Sequence, residues 1–230
     1  MKFLTIIPAR GGSKGVLKKN IRFVGGKPLI AWTLVAVRNS SISKNFYVST
    51  DDEEIAEVAD QMKCPVLKRP KELALDSSQT SDVVLHAIEM CEANSNEIFD
   101  YILLLQPTTP LRTGNDIDQA IKSVIEKKPD SLVSVYRVTD AHPARMYTIN
   151  DGYLDAIFSE GTSTLRQDLP SIFHRNGAIY ICSRDLIVNK GVLWGGNILP
   201  YLMPKDRSIN IDDEQDLLIA DFLLSKFHCE

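Results

Sequence analysis

The chain has 230 residues, 44% apolar and 24% charged, which suffices for one large core and does not fit a disordered or collagen-like chain. No run of about eighteen apolar residues is present to span a bilayer, and the apolar start meets glycines and lysines too soon for a secretory leader, so a cytoplasmic protein with no membrane partner is expected. The net charge of −4 is uneven: nine of the 26 basic residues and none of the 30 acidic ones fall in the first fifty, so that end should attract anions.

Lys2–Ile7 reads as a buried strand stopped at Pro8 and followed by a loop rich in glycine and lysine. Pro28 can open a helix at its first position, with Leu29, Ile30, Trp32, Leu34, Val35 and Val37 as its apolar surface. Phe46–Ser49 is the next strand, and Thr50 with Glu53 stands at capping-box spacing for a helix through about Met62. A helix near 81–93, a strand at Tyr101–Leu105, a helix from about Asn115 to Lys127 and a strand at Leu132–Val135 continue the pattern. Such alternation predicts a three-layer, doubly wound α/β fold with a mostly parallel sheet covered on both faces.

Residues 138–172 break the rhythm, with turns at His142-Pro143, Asn150-Asp151-Gly152 and Gly161, and read as an insertion within a single domain, 1–230. Alternation resumes with a strand at Ala178–Ile181, a short helix, strands near Ile198–Met203 and Ser208–Ile211, and a final helix from Asp213 to about Phe227. Cys64, Cys91, Cys182 and Cys229 lie far apart with no histidine at metal-ligand spacing, and read as buried or incidental thiols.

The chemistry concentrates in Ile7–Asn20, IPARGGSKGVLKKN, closed by Gly25-Gly26-Lys27-Pro28. Gly11 and Gly12 let backbone N–H groups close around phosphate oxygens, and Arg10, Lys14 and Lys19 can neutralise their charge. The GxxxxGK[ST] spacing of a Walker loop and the GxGxxG dinucleotide fingerprint are both absent, which disfavours P-loop hydrolysis and hydride transfer.

Taken whole, IPARGGSKGVLKKNIRFVGGKPLI resembles the amino-terminal signature of the N-acylneuraminate (sialic acid) cytidylyltransferases, which make CMP-activated nine-carbon acidic sugars from CTP. The resemblance extends in order through Leu67–Pro70, Leu105–Arg112, Arg166–Pro170, Asn176–Tyr180 and Ser208–Asp212. It implies a nucleotide-diphospho-sugar transferase-like fold, CTP and an acidic nonulosonic sugar as substrates, Mg²⁺ as cofactor, and a homodimer in which 138–172 supplies much of the contact.

By that resemblance Arg10, Ser13, Lys14, Lys19 and Asn20 surround the CTP phosphates and ribose, with Arg69 and Thr80 near the nucleotide. Thr80 is equally a candidate helix cap, and Arg69 before Pro70 is a place where any extended polar residue would serve. Gln106 closes a strand at the carboxyl edge of the sheet, where open α/β folds bind ligands, and the resemblance makes it an acceptor contact. The resemblance also gives Arg166 of a dimer partner the sugar carboxylate, sets Arg145 in an HP-containing segment near the sugar, and aligns Tyr180 and Trp194 with the acetamido pocket.

The family's two metal-binding aspartates fall on Asn210 and Asp212 here, so one of the two is not a carboxylate. Alternation along a strand would point both side chains at one Mg²⁺, although Asp212 with Gln215 also has capping spacing. The expected reaction is attack by the anomeric hydroxyl on the α-phosphate of CTP with in-line loss of pyrophosphate, the charge held by Mg²⁺, Lys14 and Lys19, and Asp212 near the attacking hydroxyl. The alternatives are CMP transfer to the eight-carbon sugar Kdo, an unrelated nucleotidyltransferase acting on a sugar or polyol phosphate, and a nucleic-acid module. The acidic remainder and pI near 5.6 argue against a nucleic-acid partner.

Overall fold

The structure is a computed structural model that describes residues 1–13, 15–157 and 169–227. In chain order it runs β1 (Phe3–Pro8), β2 (Phe23–Val24), β3 (Lys27–Pro28), α1 (Leu29–Asn39), β4 (Asn45–Thr50), α2 (Glu53–Gln61), β5 (Val66–Lys68) and α3 (Thr80–Ser95). There follow β6 (Tyr101–Leu104), α4 (Gly114–Lys127), β7 (Ser131–Arg137), β8 (Tyr147–Asn150), β9 (Tyr153–Ala156), β10 (Phe173–Ser183), α5 (Arg184–Lys190), β11 (Ile198–Leu202) and α6 (Glu214–Phe227).

Seven strands form one sheet in the order β11-β7-β10-β6-β1-β4-β5. Only β10 runs antiparallel to its neighbours in this sheet, so the mostly parallel, doubly wound α/β architecture holds. The two-residue period of β1 divides the core. Phe3 and Ile7 pack with α1, α2 and α4 on one face, while Leu4 and Ile6 pack with α3 and α5 on the other. A third cluster, built from Val24, Leu29, Trp32, Leu111, Ile211 and Leu224, seats α6 beside the start of α1. The hairpin β8–β9 stands apart from the main sheet, with Ile149 and Tyr153 both 77% exposed.

Several boundaries differ from expectation for local reasons. Thr50 and Glu53 make no capping box: Asp52 caps α2 by accepting from Ile55 N–H, and Thr50 Oγ1 accepts from Asp52 N–H instead. Pro28 precedes α1 rather than opening it and pairs with Phe23 across the β2–β3 hairpin. Residues 208–211 form no strand; they are held by single bonds such as Ile211 N–H to Thr108 O, at 2.9 Å. Cys64, Cys91 and Cys182 are buried free thiols, and Cys229 lies outside the described residues. Burial pushes the Cys91 thiol up to about 11 and Cys182 up to about 12, which keeps both unreactive. Among the described residues no helix is long and apolar enough to cross a membrane.

A buried ion pair ties β11 and the following turn to α4. Asp116, in the capping box of α4 with Thr113, accepts from Arg207 through both carboxylate oxygens and from Tyr201 Oη at 3.1 Å. Burial alone would raise the Asp116 pKa, but the bonds from Arg207 and Thr113 outweigh it and leave it below the ordinary value. Asp118 is likewise lowered, hydrogen bonds from Ser40 and Ser41 overcoming its burial. A depressed folded-state pKa stabilises above the unfolded value of about 3.9 and is lost as pH falls through the folded value. Arg207→Ala should therefore cost about 2–3 kcal/mol at neutral pH, because the buried carboxylate loses its cation and keeps only the bonds from Thr113 and Tyr201. The difference from wild type should shrink below about pH 4. Thermal unfolding at pH 7 and pH 3 checks this, and equal melting temperatures at pH 7 would refute it.

Candidate active site

The carboxyl ends of β1, β5 and β6 open onto one cleft, lined there by Pro8, Arg69 and Gln106, where the basic loop after β1 crosses the sheet edge. Ala9 N–H prolongs the β1–β4 pairing by donating to Ser49 O at 3.0 Å, and beyond it Arg10 turns into the cleft. Asn20 Nδ2 donates to Arg10 O at 2.9 Å, which closes the loop on itself, and the buried Val16 anchors its middle. Lys19 Nζ donates to Ile211 O at 2.7 Å and to Asp212 O at 3.2 Å, so the loop is fastened to the 210–212 segment. Gly15 makes that approach possible: a Cβ there would lie 2.1 Å from Asp212 O.

The cleft encloses about 470 Å³. Arg10, Ser13, Lys19, Asn20, Arg69 and Thr80 all line it, together with Gln106 and Asp212. Gly11 and Gly12 lie in the same loop; Gly11 N–H donates to Asp51 Oδ1 at 3.3 Å, and nothing lies within 4 Å of a Cβ placed on Gly12. Lys14 and Arg166 lie outside the described residues. Arg10 pairs with Asp76 across the cleft at 2.9 Å. Arg69 is buried against Ser49, and burial lowers its pKa, with Asp51 opposing.

Two competing local roles fall away. Thr80 does not cap α3, whose N-cap is Gln79, so its side chain is left to the cleft. Asp212 does not cap α6 either. Asp213 Oδ1 accepts from Asp216 N–H, and Asp216 Oδ2 accepts from the N–H groups of Asp212 and Asp213, which leaves the Asp212 carboxylate free of the cap. Asn210 and Asp212 meet without a strand: Asn210 Nδ2 donates to Asp212 Oδ2 at 2.8 Å, while the buried Asn210 Oδ1 has no partner.

Gln106 joins this cleft to two further hollows, of about 520 and 790 Å³. Tyr180 lines both of these, and Trp194 lines the first. The Tyr180 and Trp194 rings are tilted at 31° with centroids 5.6 Å apart, and the Arg175 guanidinium lies 4.5 Å from the Trp194 ring and 5.9 Å from that of Tyr180. Sequence reasoning passed over Arg175, although it is the basic residue directly before the Asn176–Tyr180 segment that carries part of the resemblance. Arg145 is not in this cleft. It pairs with Asp140 at 3.4 Å and faces a separate hollow beside His142 and Pro170.

Chemically, the cleft offers cations and glycines for a polyphosphate at one end and a cation on aromatic rings at the other. Asp212 and the orphaned Asn210 oxygen lie between them. Among the described residues no three acidic, histidine or cysteine side chains converge as a metal cage. One carboxylate and one amide oxygen still fit Mg²⁺, which keeps waters and takes the rest of its shell from substrate phosphates.

A family model described as cytidylyltransferase matches residues 4–180. The pseudaminic acid cytidylyltransferase of Campylobacter jejuni is 33% identical over 232 residues, covering 99% of this chain and 98% of its own length. An N-acylneuraminate cytidylyltransferase of Escherichia coli is 32% identical over 95% of this chain and 51% of its own, so the chain spans about half the length of that relative. A solved CMP:2-keto-3-deoxy-manno-octonic acid synthetase complexed with CTP shares the fold, with a TM-score of 0.75, 15% identity, and 99% and 100% of the two chains covered.

Proposed function

This chain belongs to the cytidylyltransferase family, and from that premise we propose that it transfers CMP from CTP to the anomeric hydroxyl of a nine-carbon acidic sugar, releasing pyrophosphate. The observation that carries this reading is the continuity of the cleft. A polyphosphate-binding end and a larger, aromatic-lined end meet at Gln106 and Asp212, which is what joining two substrates requires.

The triphosphate lies along the loop from Arg10 to Lys19, with backbone N–H groups and the Arg10 and Lys19 cations on its oxygens. Arg10 exchanges its Asp76 partner for phosphate as the nucleotide enters. Lys14, from the same loop, adds a third cation. Arg69 and Thr80 border the nucleotide, and Asn20 keeps the loop closed. The acid sugar takes the larger end, with Gln106 orienting it, Tyr180 and Trp194 under its acyl group, and Arg175 facing its negative charge.

Asp212 and Asn210 Oδ1 would hold Mg²⁺, which supplies neutralisation of phosphate charge and acidification of a bound hydroxyl. Asp212 is also the group this reading assigns to take the proton of the attacking hydroxyl. A homodimer completes this reading. The exposed apolar side chains Ile149, Tyr153 and Leu154 of the β8–β9 hairpin are covered by a second copy, which brings Arg145 and Arg166 toward the neighbouring sugar site. CTP is a cytoplasmic metabolite, and the enzyme works there.

Incubation with Mg²⁺, each nucleoside triphosphate and a panel of nonulosonic acids plus Kdo tests the reading. Pyrophosphate release and a CMP-sugar mass are expected only with CTP and a nine-carbon acid. Turnover of Kdo alone would reassign the acceptor, and release with sugar phosphates would overturn it.

A further inference from the structure

Strand β10 carries a defect that regular pairing cannot explain. Arg175 stands opposite Val135 of β7, so an unbroken antiparallel ladder would set Gly177 opposite Val133. Tyr180 stands there instead. Three residues are thus looped out, and Tyr180 takes the place two along from Arg175. In a regular strand, residues five apart face opposite sides; here Arg175 and Tyr180 share a side and meet over Trp194. Gly177 sits in the loop at φ +77°, a left-handed conformation that suits glycine.

The looped-out backbone is satisfied by side chains. Ile179 N–H donates to Ser134 Oγ at 2.7 Å, and Ala178 N–H to Asn176 Oδ1 at 3.1 Å. Ala178 O accepts from Arg112 Nη1 at 2.6 Å. The same nitrogen donates to Gln106 O at 3.2 Å and Thr109 Oγ1 at 3.0 Å, and Nη2 reaches Thr33 Oγ1 in α1. Arg112 is buried, no carboxylate pairs with it among the described residues, and its Nε has no partner. A buried guanidinium whose burial is opposed only by the more distant charge of Asp116 is an expensive way to hold packing alone. What it joins is specific: the backbone of Gln106 and the loop that brings Arg175 and Tyr180 together.

We propose that Arg112 is a positioning residue for the acceptor half of the cleft, fixing Gln106 and the β10 loop-out so that Gln106, Arg175, Tyr180 and Trp194 form one face. The assignment of that face to the acceptor rests on the proposed transfer reaction; the link from Arg112 to the loop-out does not.

Arg112→Lys and Arg112→Gln test it through two readouts. Hydrogen exchange of the Ala178 and Ile179 amides should quicken by about tenfold while those of Ile6 and Ile7 in β1 hold. The acceptor KM should rise by about tenfold with the CTP KM within about twofold, because among the described residues of the phosphate loop none bonds to Arg112. Folded variants with unchanged exchange and unchanged acceptor KM would overturn the proposal, as would equal weakening of both substrates. Failure of both variants to fold, seen by circular dichroism, would mark Arg112 as structural only and overturn it as well. Quickened exchange in a protein whose wild type turns over no nonulosonic acid would keep the positioning role and remove the reaction.

Discussion

Asp212→Asn should lower turnover by about 10²–10³ while leaving the melting temperature within a few degrees. The carboxylate is not part of the α6 cap, which Asp213 and Asp216 form between them, so its loss leaves the helix start intact. It is also the only acid of the Asn210-Ile211-Asp212 segment, so no second carboxylate there can replace it as metal ligand or proton acceptor. Its neighbour Lys19 is held through main-chain carbonyls, which the substitution keeps. The effect should therefore fall on kcat, with the CTP KM changed far less. Steady-state rates over a Mg²⁺ series decide the matter. An Asp212→Asn enzyme within threefold of wild type at every Mg²⁺ concentration would refute the assignment.

Gly15→Ala should weaken CTP by about 10², because a methyl there collides with main chain and not with a side chain that can rotate away. Its Cβ would lie 2.1 Å from Asp212 O and 3.2 Å from Asp212 C, so either the phosphate loop lifts or the 212 segment retreats. Both movements stretch the Lys19 bonds that fasten the two together. Gly15 is exposed and joins no core cluster, so stability should change little. Calorimetric titration with CTP reads the loss directly, and affinity within twofold of wild type would show that the loop tolerates a wider gap.

Much of this organisation is legible in short windows of sequence. The apolar runs at Lys2–Ile7 and Tyr101–Leu105 announce strands buried on both faces. The glycine-lysine segment after Pro8, in a stretch of fifty residues without an acid, reads as an anion site, and Arg10, Ser13, Gly15 and Lys19 of that segment do line the cleft. The cleft gathers residues scattered across the chain, and the family resemblance had pointed to Arg10, Ser13, Lys19, Asn20, Arg69, Thr80, Gln106 and Asp212 among those that line it. Boundaries were less legible where several residues competed for one task. Thr50, Asp51 and Asp52 all had cap chemistry, as did Asp212 and Asp213, and the choice fell to whichever side chain the preceding strand or loop left within reach of the first turn.

By itself the sequence determined the layer architecture and the basic loop, because each depends on residue chemistry repeated at close spacing, and it pointed to the family through segments that resemble known members. Only the tertiary structure decided which residues share a face of the cleft. Arg175 and Tyr180 look opposed when counted along the strand, and a loop-out held by Arg112, Ser134 and Asn176 turns them together. Strand register and buried hydrogen bonds are set by partners 40 to 80 positions away, as between Arg112 and Thr33, and no local period records them.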